Sequence, residues 1–296
     1  MIPTYKTLAE KEPIFECQTL NDIDSVLARL STLETEGYFF RGQADASWKL
    51  FTAIQREWLN KKLQSKFTSI HSCIQQHLTY QKAKASCQLN GQQLNDISIL
   101  STLQHYGGPT PFLDFTSKPD SALYFATDSD PAAGADEATQ YVSIYAWKPG
   151  KGPSTASTND LTNWESVIDN CGGISGAASL SVLQGLTVIY IKQDSGQFLK
   201  IANPRLDLQN GLFVYAPKAL GKGDPYEALF DGKTIDDVVD VYEGLFIPKL
   251  ICLNIAKSVI PAVRDRLVKQ GVTKDSLGLG STDWAWTVYQ DFLKSI

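Results

Sequence analysis

The chain has 296 residues, of which 43% are hydrophobic, 10% aromatic and 20% charged, a balance that supports a sizeable core and excludes a chain disordered throughout. Its net charge of −5 argues against a general binder of nucleic acid or anionic membranes, because both need a basic surface, although a local basic patch stays open. The five cysteines (Cys17, Cys73, Cys87, Cys171, Cys252) are odd in number, widely spaced and free of any C-x-x-C, which predicts reduced thiols in a cytoplasmic protein. Met1 to Thr7 leads into charged residues without the apolar core of a signal peptide, and no apolar run is long enough to span a membrane, so no membrane partner is expected.

In chain order, Ile23, Val26, Leu27 and Leu30 form a helical stripe from Asn21 to Leu33. Gly37 to Phe40 reads as a short buried strand running into Arg41-Gly42. From Trp58 to about Gln88, Leu63, Phe67, Ile70, Ile74 and Leu78 recur at spacings of three and four, predicting helix. Asp96 suits the cap of a further helix through Ile97, Leu100, Leu103 and Gln104, stopped by Gly107-Gly108. Pro119 and Asp120 fit the first turn of a helix over Ser121–Thr127. The second half turns to β-branched and aromatic runs, predicting strands at Tyr141–Trp147, Leu186–Ile191, Gln197–Ile201, Leu212–Tyr215 and Leu250–Ile255. A short helix around Val263 and Leu267, with Pro261 in its first turn and Gly271 as its stop, and a last one through Trp284, Val288, Tyr289 and Phe292 complete the pattern. The segments Asp128–Glu137 and Pro149–Thr158 read as loops. Helices first and strands later, without βαβ alternation, predict an α+β fold. The expectation is a single domain over 1–296, with a mixed or antiparallel sheet core and an N-terminal helical lobe at about 55–105.

The run Gln104-His105-Tyr106-Gly107-Gly108-Pro109-Thr110-Pro111-Phe112-Leu113-Asp114-Phe115-Thr116 is too rich in glycine and proline for a helix or strand and reads as a rigid turn holding polar groups against a core. Within it, His105 fits either an acid/base or ligand-binding role, or a neutral core histidine that hydrogen-bonds Asp114. Asp114 fits either a general base or an acceptor for loop N–H groups. Upstream, Phe39-Phe40-Arg41-Gly42-Gln43 places a guanidinium at the end of an aromatic strand. There it suits a bidentate grip on phosphate or carboxylate, or a structural salt bridge, and Gly42 permits close approach of a ligand. Cys73 and His77 are spaced for metal binding on a helix but lack a second pair, so no metal is expected. Neither a G-x-S-x-G elbow nor a classical phosphate-binding loop occurs.

Taken together, Phe40-Arg41-Gly42 with Trp48 and Arg56, Gln104-His105-Tyr106-Gly107 with Pro109-Thr110, Leu113-Asp114-Phe115-Thr116, and Ala122-Leu123-Tyr124-Phe125-Ala126 resemble the FRG domain family. The likeness continues in Arg205, Gln209, Gly211 and Phe213 and in the terminal strand and helix from Lys249 to Leu267. One departure is Pro111, where the family often has arginine after Pro-Thr. More loosely, the order of these motifs resembles that of ADP-ribosyltransferases, which implies an enzyme for which NAD is the substrate. In that resemblance Arg41 grips the phosphates, Thr116 with Ser117 takes the central position, and Gln209 takes the late acceptor position. Asp114 or Glu243 then supplies the negative charge that an oxocarbenium-like transition state needs. The catalytic set so implied is Arg41, His105, Gln209 and Asp114, and the ligand contacts are Arg41, Gly42, Gln43, Tyr106, Thr116, Ser117 and Tyr124.

The implied activity is ADP-ribosyl transfer or NAD hydrolysis, as in a bacterial toxin or defence effector, on a protein or nucleic-acid acceptor. The alternative is a non-catalytic module that binds a phosphate-containing ligand or a protein partner in the same cleft.

Overall fold

The computed structural model of the chain describes residues 2–11, 15–61, 63–83, 88–89, 92–93, 99–100, 103–104, 107–129, 131–148, 189–192, 208–215, 249–279 and 284–295. Its elements follow from local chemistry. Strand β1 (Phe15–Cys17) leads into a cap in which the Asp22 carboxylate accepts from the N–H groups of Gln18 (3.1 Å) and Thr19 (2.8 Å). Helix α1 (Ile23–Thr35) then buries Ile23, Val26, Leu30 and Leu33 on one stripe. Strand β2 (Phe39–Gln43) carries the Phe-Arg-Gly segment.

The helix expected from Trp58 to Gln88 is in fact two, α2 (Ala53–Lys61) and α3 (Ile70–Lys82). The break has a physical cause: Phe67 is buried between them, and Ser69, in extended backbone, caps α3 by accepting from the Ser72 N–H at 3.0 Å. A two-stranded ribbon, β3 (Gln88–Leu89) and β4 (Gln92–Gln93), follows.

The larger correction concerns the turn-like run. Gly107 takes the left-handed conformation (φ 80°), its N–H donates to the Gln104 carbonyl (3.2 Å) and that of Gly108 to the Leu103 carbonyl (2.8 Å), a Schellman closure. The rigid turn is therefore confined to 107–111, and Phe112–Thr116 is a strand, β5. It is a strand because all five of its residues pair with β8. Helix α4 (Pro119–Asp128), strands β6 (Tyr141–Lys148), β7 (Ile189–Lys192), β8 (Gly211–Tyr215) and β9 (Lys249–Ala256), and helices α5 (Ile260–Lys269) and α6 (Trp284–Ser295) follow. The strand expected at 197–201, the loop at 149–158, the Asp96 cap, Cys87 and Cys171 lie outside the described residues.

The fold is α+β; among the described residues seven strands form one mixed sheet of order β1-β9-β6-β2-β5-β8-β7, with β1 and β9 parallel and the other pairs antiparallel. Helices α1, α4 and α5 cover one face of its β1-β9-β6-β2 half, burying Phe40, Val142, Ile144, Leu253 and Ile255. The helical lobe, α2 and α3 with Ile99, Leu100 and Leu103, packs on the other half through Phe112 and Phe213, whose rings stack at 5.4 Å, and on Phe292 of α6. The sequence-stripe residues thus occupy two cores, one for each half of the sheet.

On the sheet face opposite α1, Lys11 is buried. Its Nζ donates to the Ala46 carbonyl (2.8 Å), to Ser143 Oγ and to Asn254 Oδ1 (3.3 Å), and it lies 4.9 Å from the centroid of the Tyr145 ring. Burial lowers its pKa. Nothing in the sequence signals this residue as a core lysine. Among the described residues, no helix is long and apolar enough to cross a membrane.

Candidate functional site

The two halves of the sheet meet at a weak seam. Strands β2 and β5 pair only at Phe40 and Thr116, whereas β2 pairs with β6 through all five residues. Two neighbouring strands that part leave backbone groups without ladder partners, and such groups must be satisfied otherwise. Here Arg41 does so: its Nη1 donates to the main-chain carbonyl of Asp114 at 2.8 Å. A cavity of about 250 Å³ opens at this seam. Phe40, Arg41 and Gly42 of β2, Asp114, Phe115 and Thr116 of β5, and Ala122 and Phe125 of α4 line it, with Gln104, Gln209 and Leu279 around them.

Strand alternation sorts the Phe-Arg-Gly segment. Phe40 is fully buried in the core beneath α4. Gly42 touches the same helix, since a Cβ there would lie 1.9 Å from the Ala122 carbonyl oxygen. Arg41 alone offers a functional group to the cavity. Two residues of the three are therefore architecture, and Gly42 lines the cavity because the helix comes so close.

Arg41 is 15% exposed at its side chain, yet among the described residues only one of its five N–H groups is bonded. Its Nε is buried without a partner, and the Asp114 carboxylate stands off at 3.9 Å. Burial lowers the Arg41 pKa, but a guanidinium keeps its proton at neutral pH. A second guanidinium stands near. Arg56 donates from Nη1 to the Phe51 carbonyl (2.7 Å), and burial, then the charge of Arg41, push it down to about 10. Two cations around one carboxylate leave the site short of negative charge.

Asp114 has 54% of its side chain open, and the opening faces the cavity. Burial raises its pKa, while Arg41, the hydrogen bond from Gln104 and Arg56 hold it down. Water in the cavity tempers the burial effect, since the exposed half of the carboxyl remains hydrated. Gln104 Nε2 donates to Asp114 Oδ2 at 2.6 Å. Gln209 Nε2 donates to the Leu277 carbonyl at 3.0 Å, which leaves Oε1 as its ligand-facing group. Thr116 Oγ1 donates to the Gln209 carbonyl (2.6 Å) and accepts from the Lys118 N–H (3.0 Å), so its hydroxyl ties the Gln209 turn to β5.

Arg41, Gly42, Asp114, Thr116 and Gln209 thus share one cavity, although Asp114 and Gln209 lie 95 positions apart in sequence. Gln43, Ser117 and Tyr124 do not line it. Gln43 shares the Arg41 face of β2 but lies two residues further along the strand, where it is buried and donates to the Trp48 carbonyl (3.0 Å). Ser117 is tied by its N–H to the Asn210 carbonyl (3.0 Å) beyond the end of β5. Tyr124 lies on the other flank of α4, in a groove with Arg264 and Asp128, where burial and a hydrogen bond to Asp128 push its pKa to about 12. His105, Tyr106 and Glu243 lie outside the described residues. Cys73 and His77, spaced like metal ligands, are core residues of α3, His77 stacking on Phe292 at 4.8 Å.

Sequence reasoning missed Gln104, Phe125 and Leu279 as lining residues. Gln104 had a signal, since it belongs to the helical stripe that the Gly107-Gly108 stop closes and is thereby fixed beside β5. Leu279 had none.

Residues 36–134 match the FRG domain. These residues include β2, the helical lobe, β5 and α4, hence Arg41, Gln104, Asp114 and Thr116; Gln209 and Leu279 come from outside it. No curated protein and no solved structure matches the chain.

Proposed function

We propose that the seam cavity binds NAD, and that the protein transfers ADP-ribose from it or hydrolyses it. The observation that carries this reading is Arg41, a largely buried guanidinium whose Nη groups make one hydrogen bond among the described residues, in a cavity it shares with the Asp114 carboxylate, Gln209 and the ring of Phe125. Such a cation suits a phosphate, whose oxygens accept in the guanidinium's own plane. Cleavage of the nicotinamide bond builds positive charge on the ribose carbon, and Asp114 is the carboxylate nearest to hand in the cavity. Gln209, being neutral, contributes an acceptor and no charge. The cavity lies near the small end of ligand sites, about 300 Å³ and upward, so it accommodates part of a dinucleotide while the rest lies along the surface.

A second reading is favoured by one specific observation: Arg41 and Gln104 both act on Asp114 Oδ2 and partly neutralise it. A carboxylate so engaged suits binding without chemistry. Titration calorimetry with NAD, followed by chromatography of the incubated nucleotide, separates the two readings. Binding with release of nicotinamide supports the enzyme, and binding with intact NAD supports the module. Neither binding nor loss of NAD, with protein and nucleic-acid acceptors tried, removes the NAD reading. Arg41→Ala is expected to weaken NAD binding about 100-fold, the worth of one to two charge-assisted hydrogen bonds. Unchanged affinity in that variant would put the ligand elsewhere.

A further inference from the structure

We propose that Gln104 is the positioning residue of Asp114, and that the buried hydroxyl of Thr110 sets the direction in which Gln104 points. The proposal rests on the reading of the seam cavity as a ligand site.

The argument starts from a group whose polarity is not negotiable. The Phe112 N–H donates to Thr110 Oγ1 at 3.2 Å. The hydroxyl proton of Thr110 is then directed at its other neighbour, Gln104 Oε1, with which it makes a short hydrogen bond. With Oε1 accepting, the amide must present Nε2 on its other side, where it donates to Asp114 Oδ2 at 2.6 Å. Each link thus fixes the next, from main-chain amide to hydroxyl to side-chain amide to carboxylate.

The anchor of the chain is rigid. Thr110 is fully buried, and its carbonyl accepts from the Ile54 N–H at 3.1 Å, which ties it to the start of α2. Proline on both sides restricts its backbone, Pro111 disfavouring the helical region for the residue before it. Gln104 is held by the helix end closed at Gly107 and Gly108.

The consequence lies at the free oxygen. Gln104 and, at 3.9 Å, Arg41 both address Oδ2, so Oδ1 is the oxygen left to the cavity. A carboxylate held by one oxygen is a directed acceptor for an O–H or N–H of the ligand; a freely rotating one divides its time among orientations. Without the Thr110 proton, the Gln104 amide loses the reason to face Asp114 with its nitrogen. A flipped amide would set oxygen against carboxylate.

The test is the titration of the Asp114 carboxyl, followed by carbon NMR in the ligand-free protein, in Thr110→Val, Thr110→Ser and Gln104→Leu. Arg41 and Arg56 face the same carboxyl and are present in all three, so their contribution cancels. The Asp114 midpoint is expected to move upward in Thr110→Val and Gln104→Leu and to stay at the wild-type position in Thr110→Ser, which retains the hydroxyl. A packing defect alone would lower the melting temperature without moving the midpoint. A folded Thr110→Val or Gln104→Leu protein with the wild-type midpoint overturns the proposal, and if one variant fails to fold the other decides. With NAD added, Thr110→Val is expected to bind about tenfold more weakly than Thr110→Ser. Absence of NAD binding in the wild type would count against the ligand assignment alone, because the carboxyl titration needs no ligand.

Discussion

Gly42→Ala is expected to destabilise the protein by about 3–5 kcal/mol, a large fraction of a domain's stability. The added Cβ would lie 1.9 Å from the Ala122 carbonyl oxygen and 2.7 Å from the Ala126 nitrogen. Both are backbone atoms of α4, so no side-chain rotation relieves the clash, and the helix must leave the strand. Because α4 also lines the cavity through Ala122 and Phe125, the site should distort with the fold. Thermal unfolding followed by circular dichroism measures the effect. Gly134→Ala is the control, since a Cβ there meets only the Thr139 side chain at an ordinary 3.4 Å. Equal melting temperatures for the two variants would show that β2 and α4 are not in backbone contact.

Acid is expected to unfold the helical lobe through His77. Its ring is 3% exposed, hydrogen-bonds Gln81 at 2.9 Å and stacks on Phe292, and burial lowers its pKa to about 4 from the usual 6.5. The folded value is the lower one. Between pH 6.5 and 4, therefore, the unfolded chain takes up a proton that the folded chain refuses, and stability falls as the pH drops. Over that window the loss amounts to about 3 kcal/mol. Denaturant unfolding at pH 7 and pH 4 should show it, and His77→Leu should lose about that much less between the two conditions. Carboxylates add acid sensitivity to both proteins, so the difference between them is the informative quantity. An identical loss in wild type and variant would mean that His77 is hydrated in the native state.

Much of the architecture is legible in the sequence because it rests on local pattern. The α1 stripe, the Pro119 start of α4, the aromatic runs of β6 and β8, the aliphatic run of β9 and the α+β class all express side-chain periodicity or the geometry of proline. The strand Phe112–Thr116 was illegible for the opposite reason. Its neighbours Gly107, Gly108, Pro109 and Pro111 signal a turn, and only β8, about a hundred residues later, supplies the partner that makes it a strand. The break before α3 was hidden because Phe67 and Ile70 fit the helical spacing until the Ser69 cap is seen.

The sequence by itself determined that Arg41, Asp114, Thr116 and Gln209 are candidate site residues, since residue type and motif order are properties of the chain alone. Which of them converge, and on what, was decided by the tertiary structure. The single bridge between Phe40 and Thr116 leaves a seam that neither strand encodes, and Arg41 crosses it to the Asp114 carbonyl. The Trp48 carbonyl then claims Gln43, helix packing claims Gly42, and the hydrogen-bond chain from Phe112 through Thr110 and Gln104 gives Asp114 its orientation. Sequence motifs name side chains, but register and packing decide which way each one faces.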